Sequence, residues 1–292
     1  MRQGEELTIQ VPGLTLAARA WGNPEGRPFL ALHGWLDNAN TFNRLAPLLP
    51  ELNLVALDFP GHGRSDHHPA GVHYNPFTYI QAVMGAAQTL GWERFGLIGH
   101  SMGAGVASEL AGMFPEAMTE VVLLDGMVHN MGSPEDANAR NRTAIEQMLA
   151  TGRQPPVYPD TDSMARRVTE ATDQSLAAAR ELVERGHRQV TDGVTWRTDP
   201  RIRFATPLRI TVRQVDALMA ATTAPTLLLM ADKGDRWYRD GVERRARYHS
   251  VLTIEELGGP HHFHLEPDHV DEVAARVRNF LGLERARAAG QN

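Results

Sequence analysis

The stretch Phe95-Gly-Leu-Ile-Gly99-His-Ser101-Met-Gly103-Ala-Gly-Val-Ala-Ser-Glu-Leu-Ala111 decides the fold. Its first five residues form a short, continuously apolar run, the pattern of a strand buried on both faces. From Met102 to Phe114 the pattern is helical. A serine with a glycine two residues away on either side, set on a strand-to-helix turn, is the nucleophile elbow. Small flanking residues let strand and helix pass closely enough for the serine to take a strained backbone conformation. Its hydroxyl then stands above the sheet. A dinucleotide-binding glycine loop is the competing reading, but Gly103-Ala-Gly105 continues as Val106-Ala-Ser108, so the third glycine of that fingerprint is missing.

Outward from the elbow, short apolar runs recur, each ending at Gly, Asp or His: Pro28–Leu32, Leu52–Asp58, Glu120–Asp125 and Pro225–Met230. Two earlier segments, Glu5–Val11 and Leu14–Trp21, flank the turn Pro12-Gly13, and a further strand is expected over Val251–Glu256. Helical patterns cover Pro76–Leu90 and Pro267–Leu281. Strands alternating with helices predict an α/β fold: a mostly parallel sheet of about eight strands flanked by helices. The alternation breaks over residues 127–221, a stretch rich in Arg, Glu, Ala and Gln without a buried-strand run. Ser133-Pro-Glu135 and Asp162-Ser163 read as helix starts, and Ala177–Glu184 is strongly helix-forming. We expect a core of residues 1–126 and 222–292 interrupted by a helical cap insertion at 127–221, since unstructured connections rarely run so long.

A chain of 292 residues with 42% hydrophobic content can bury one substantial core. The net charge of −6 argues against a nucleic-acid partner. No apolar run approaches the roughly 18 residues of a membrane span, and the first residues lack the plan of a signal peptide, so a cytoplasmic protein is the expectation. Cysteine is absent, which removes thiolate metal sites and thiol nucleophiles. His62, His67, His68 and His73 lack a recognisable metal-ligand spacing. No metal or organic cofactor is implied. The sequence is silent on oligomeric state, and a homodimer is compatible with it.

The chemistry of the elbow needs an oxyanion hole, a base and an acid. The Met102 N–H, next after the serine, is one oxyanion donor; His33-Gly-Trp35, directly after the strand Pro28–Leu32, supplies the second, assigned to Trp35. His33 itself reads as a packed, hydrogen-bonded loop residue. The base should lie between the last strand and last helix, where Gly258-Gly-Pro-His261-His-Phe-His264-Leu-Glu-Pro267 stands. His261, directly after the turn, is the choice; His262 is expected to face solvent, and His264 to start the helix and support the loop. A histidine cluster also suits metal, but the upstream elbow favours catalysis. For the acid, Asp125 ends one strand while Asp232 and Asp235 follow another, all at the carboxyl edge of the sheet. Asp58 is excluded because the acid should follow the serine in the chain. The residues themselves leave Asp125, Asp232 and Asp235 open.

Taken together, these segments resemble the α/β-hydrolase superfamily, and more narrowly the serine hydrolase-like proteins. The narrower likeness rests on His33-Gly-Trp-Leu-Asp-Asn38, Pro47-Leu-Leu-Pro50, Asp58-Phe-Pro-Gly-His-Gly63, Gly99-His-Ser-Met-Gly103, Arg185-Gly186, Thr191-Asp-Gly193 and Pro260-His-His-Phe-His-Leu-Glu-Pro267. The resemblance implies an α/β-hydrolase fold with a cap and points to Asp125 as the acid, although most of the wider superfamily uses the later position, here Gly234 flanked by Asp232 and Asp235. The resemblance does not settle the substrate; the serine nucleophile favours hydrolysis of an ester, thioester or lactone of a small to medium acyl substrate through Ser101, His261 and Asp125. A carbon–carbon bond hydrolase with the same triad and a catalytically weak ligand-binding protein on the same scaffold are the alternatives.

Overall fold

The computed structural model describes residues 1–128, 132–133, 135–150, 154–234 and 239–283. The elements before the elbow are β1 (Arg2–Val11), β2 (Leu14–Gly22), β3 (Arg27–Leu32), β4 (Leu52–Leu57), α1 (Pro76–Thr89) and β5 (Phe95–His100). After it come α2 (Met102–Met113), β6 (Met118–Leu124), α3 (Ala137–Leu149), β7 (Val157–Tyr158), α4 (Thr161–Ala171), α5 (Leu176–Gly186), β8 (His187–Val190) and β9 (Gly193–Trp196). The chain closes with α6 (Val212–Ala221), β10 (Thr226–Lys233), α7 (Val242–Ala246), β11 (Leu252–Pro260) and α8 (Val270–Phe280).

Eight strands form one sheet in the order β1-β2-β4-β3-β5-β6-β10-β11. β2 pairs antiparallel with both neighbours, and every pairing from β4 to β11 is parallel. This is the α/β-hydrolase fold, and the parallel run explains the unbroken apolar strands. Both faces are covered, so residues alternate between two cores rather than between core and water. Leu97 and Leu123 pack on the face covered by α1, α2 and α6, whereas Ile98 and Leu124 pack on the face covered by α8 and residues 39–49.

The stretch between β6 and β10 departs from a purely helical insertion. β8 and β9 form a hairpin joined by β7 into a three-stranded antiparallel sheet. Thr191-Asp-Gly193 makes its turn, with Gly193 at φ 139°, where a Cβ would sit 2.1 Å from the Tyr158 carbonyl oxygen. A two-residue hairpin needs no buried apolar run, so composition did not reveal it. α4 begins at an Asp160 cap and α5 at a Ser175 cap. Pro134 lies outside the described residues; α3 starts after Asp136. α6 lies along α2, and its Val215 and Met219 belong to the core of the large sheet.

Candidate active site

Because β3, β5, β6 and β10 are parallel neighbours, their carboxyl ends open onto one edge. At the end of β5, Ser101 has φ 51° and ψ −114°, a backbone that a non-glycine residue holds only under constraint. The constraint is visible. The Ser101 N–H donates to the Leu124 carbonyl at 3.0 Å, and α2 starts immediately, its Gly105 N–H donating to the Ser101 carbonyl at 3.1 Å. A Cβ on Gly103 would stand 2.0 Å from the Leu32 carbonyl oxygen, and one on Gly99 2.5 Å from that of Gly103. The two glycines therefore let the helix start directly against β3 and β5. As the first residue of α2, Met102 has no intrahelical acceptor for its N–H.

Leu32 is the register partner of Gly99, so the loop from His33 leaves the sheet beside the elbow. Leu36 in that loop has φ 67°. Trp35 is half exposed; its indole N–H donates to the Ile202 carbonyl at 3.4 Å, and Arg203 lies over its ring. His33 is fully buried. Its Nδ1–H donates to the Gly34 carbonyl at 2.7 Å while Nε2 accepts the Phe59 N–H at 3.0 Å. Both nitrogens are committed and burial lowers its pKa, consistent with a structural role.

His261, on the turn after β11, presents Nδ1 2.5 Å from Oδ2 of Asp125. A carboxylate only accepts, so Nδ1 carries the proton and Nε2 is left with a lone pair. Asp125 is fully buried at φ 44° and also accepts the Ala231 N–H through Oδ1 at 2.9 Å. A Cβ on Gly234 would lie 2.0 Å from Asp125 Oδ2. The glycine at the superfamily's usual acid position thus leaves room for a carboxylate arriving from β6. Asp232 is exposed and accepts the Gly259 N–H at 2.8 Å, joining β10 to β11. Asp235 lies outside the described residues. The Asp125 turn also touches the elbow, since a Cβ on Gly126 would stand 2.6 Å from the Ser101 carbonyl oxygen.

The other two histidines of the loop depart from expectation. His262 does not face solvent: it is buried, and its Nε2–H donates to Asp37 Oδ2 at 3.1 Å. His264 does not start the helix. It is fully buried with Nε2 3.0 Å from Thr41 Oγ1, and α8 begins at Val270 after a His269 cap. The last helix starts later because residues 261–269 spend their backbone bonds in successive tight turns, such as Phe263 N–H to Pro260 and Leu265 N–H to His262. His100, beside Ser101, is buried too; its Nε2–H donates to the His261 carbonyl at 3.0 Å. Burial, reinforced by His262, pushes the His100 imidazole down to about 3, and burial likewise pushes His264 well below the usual histidine range. Burial works against the Asp37 carboxylate, but His262 beside it outweighs that and holds it well below its usual range. A cleft of about 480 Å³ opens on His261 and His262, lined further by Thr172, Asp173, Gln174 and Lys233. That volume falls in the range of small-molecule sites, roughly 300–1,000 Å³.

With this geometry in view, the sequence matches the model of the alpha/beta hydrolase family over residues 29–276. The chain belongs to that family. A serine hydrolase-like protein of Danio rerio is 33% identical over 96% of this chain and 89% of its own length. Among solved structures, a hypothetical protein of Pseudomonas aeruginosa PAO1 is 38% identical with a TM-score of 0.87, covering 94% of this chain and 97% of that one. The thioesterase domain of the curacin biosynthetic pathway is 25% identical with a TM-score of 0.84, covering 94% and 99% respectively.

The narrower motifs of this α/β-hydrolase turn out to be the docking surface of α5. Arg185, with 1% of its side chain exposed, donates from Nε to both oxygens of the fully buried Asp58 at 3.0 and 2.8 Å and from Nη1 to Glu6 at 2.6 Å. Asn38 and Asn40 donate to the Leu182 and Glu181 carbonyls, each at 2.9 Å, and Glu266 accepts the Ser175 N–H at 2.8 Å. Asp58 is therefore a structural anchor. The sequence offered Arg185-Gly186 as a signal but not its partner, which lies 127 residues earlier. Among the described residues, no helix is long and apolar enough to cross a membrane.

Proposed function

We propose that this α/β-hydrolase cleaves an ester, thioester or lactone of a small to medium acyl substrate, with Ser101 as nucleophile, His261 as base and Asp125 as acid. The observation that carries the reading is the 2.5 Å contact of Asp125 with His261 Nδ1, beside an elbow serine at φ 51°. Ser101 Oγ attacks the acyl carbonyl as its proton passes to His261 Nε2, and Asp125 stabilises the imidazolium. The oxyanion is held by the Met102 N–H and, from the neighbouring loop, the Trp35 N–H. Collapse expels the leaving group, which takes the proton from His261 and leaves an acyl-serine. His261 then deprotonates water for attack on that acyl group, and returning the proton to Ser101 releases the acid.

The cleft of about 480 Å³ reaches His261 without Ser101 in its lining and has the size for a small to medium substrate, and the likeness to a thioesterase domain supports acyl chemistry. We assign the cap to the insertion 127–221. In this reading α4, α5 and the small sheet cover the site, and α6 returns along α2 to the core. The test is labelling by a fluorophosphonate probe together with hydrolysis of p-nitrophenyl esters and acyl thioesters. Wild type should label and turn over, whereas Ser101→Ala should do neither. Absence of labelling and of turnover on both substrate classes would sink the reading and favour a ligand-binding protein.

A further inference from the structure

A polar cluster lies behind the base, and the hydrolytic reading does not use it. The His100 Nε2 faces the His261 carbonyl at 3.0 Å, and a carbonyl only accepts, so Nε2 carries the ring proton. The neutral ring then has its lone pair on Nδ1. That nitrogen is fully buried, has no hydrogen-bond partner among the described residues, and lies 3.4 Å from Asp37 Oδ2. Two acceptors face each other in a dry interior, an arrangement that costs free energy unless a positive charge stands between them. A ring proton on Nδ1 is one such charge, and a metal cation is another.

A third donor completes the set. His262 Nε2 lies 3.1 Å from the same Asp37 oxygen, and the three ligand atoms of Asp37, His100 and His262 fall within 4.8 Å of one another. A tetrahedral zinc ion, with bonds of about 2.0–2.1 Å, separates neighbouring donors by roughly 3.4 Å. The two Asp37 distances already match. Gly34 keeps the cradle open, since a Cβ there would lie 3.0 Å from both Asp37 Oδ2 and His100 Nδ1. His262 also lines the cleft. Binding needs His262 to carry its ring proton on Nδ1 instead of Nε2, and the three donors, now within 4.8 Å of one another, to draw in to that spacing.

We propose that Asp37, His100 and His262 form a binding site for a zinc-class divalent transition metal, outside the catalytic triad. Two imidazoles and one carboxylate suit zinc, cobalt, nickel or copper and disfavour magnesium and calcium, which take oxygen. The ion would tie three loops together: the one after β3, the elbow, and the one carrying His261. Its role is that of a clamp on the base loop, with no part in the bond-breaking steps.

The test is calorimetric titration of the metal-stripped full chain with Zn²⁺, with Mg²⁺ as control, alongside thermal unfolding. One Zn²⁺ per chain should bind and Mg²⁺ should not. At a hundredfold excess over the dissociation constant, Zn²⁺ should raise Tm by about 5 °C. Co²⁺ in its place should give the visible absorption of a four-coordinate ion. His262→Gln should weaken Zn²⁺ binding by at least about a hundredfold, since loss of an outer-shell partner alone costs about 10–100-fold. Should that variant fail to fold, Gly34→Ala fills the cradle while keeping all three ligands, and it should lose binding equally. No saturable binding to wild type would overturn the inference and leave a proton between His100 and Asp37. Equal Zn²⁺ binding by wild type and either variant would also overturn it, placing the ion on surface histidines.

Discussion

Replacing Asp125 by Asn tests the proposed acid without disturbing its surroundings. The side chains are isosteric, and Asn is one of the few residues that accepts a positive φ, so the backbone at 44° is retained. The amide oxygen can keep the Ala231 N–H, which Oδ1 now accepts at 2.9 Å. The amide nitrogen then stands where Oδ2 lies, 2.5 Å from His261 Nδ1. That position becomes a donor and forces Nδ1 to accept, which moves the ring proton to Nε2. His261 can no longer take the Ser101 proton, and the imidazolium loses its carboxylate. The corresponding loss in a Ser-His-Asp triad is about 10⁴ in kcat, equivalent to about 5 kcal/mol of transition-state stabilisation. KM should change little, because the carboxylate is buried beneath the ring and does not line the cleft. The assay is steady-state hydrolysis of a p-nitrophenyl ester, with Asp232→Asn as the comparison, expected within a few-fold of wild type. Turnover by Asp125→Asn within tenfold of wild type, or a collapse in Asp232→Asn, would refute the assignment.

Gly234→Ala should cut kcat far more than stability, because its Cβ would press 2.0 Å from the Asp125 carboxylate; unchanged kinetics would show that the β10 loop does not hold the acid in place. Gly103→Ala sets a Cβ 2.0 Å from a backbone oxygen that cannot move aside, and chemical denaturation should show a loss of about 3 kcal/mol, the upper end of the overpacking range. Arg185→Met leaves Asp58 buried without its counter-charge and should cost about 3–5 kcal/mol, while the Arg185→Met/Asp58→Asn double variant should lose less than the sum of the singles; strict additivity would contradict the pair. His62 is held neutral by burial well below its usual range, so it takes up a proton only on unfolding. Its contribution to stability is therefore lost as pH falls below about 6.5, by about 1.4 kcal/mol at pH 5.5. His62→Gln should be less sensitive to that pH step by the same amount, and an identical pH slope would argue against it.

Much of the candidate site's layout could be read in the chain because its determinants are local. The elbow needs small residues at 99 and 103, since the contacts that exclude a Cβ come from the helix start and the neighbouring strand, and those glycines sit two residues from the serine. The alternation of buried strands and helices likewise predicted a mostly parallel sheet, and the sheet has eight strands. The histidines show where local reading fails. His261, His262 and His264 share one loop and one residue type, yet they meet Asp125, Asp37 and Thr41, residues more than a hundred positions away. No local pattern states which of the three reaches which partner.

Sequence alone therefore determined the fold class and a serine on a strained strand-to-helix turn, because backbone sterics and hydrophobic periodicity are properties of neighbouring residues. It also narrowed the candidate acid to a few strand-end aspartates. Only the tertiary structure decided that Asp125 crosses to His261 over Gly234, that Asp58 belongs to Arg185, and that His262 turns inward to Asp37. Those pairings join residues distant in the chain, and the sheet order and the docking of α5, rather than sequence spacing, bring them within reach.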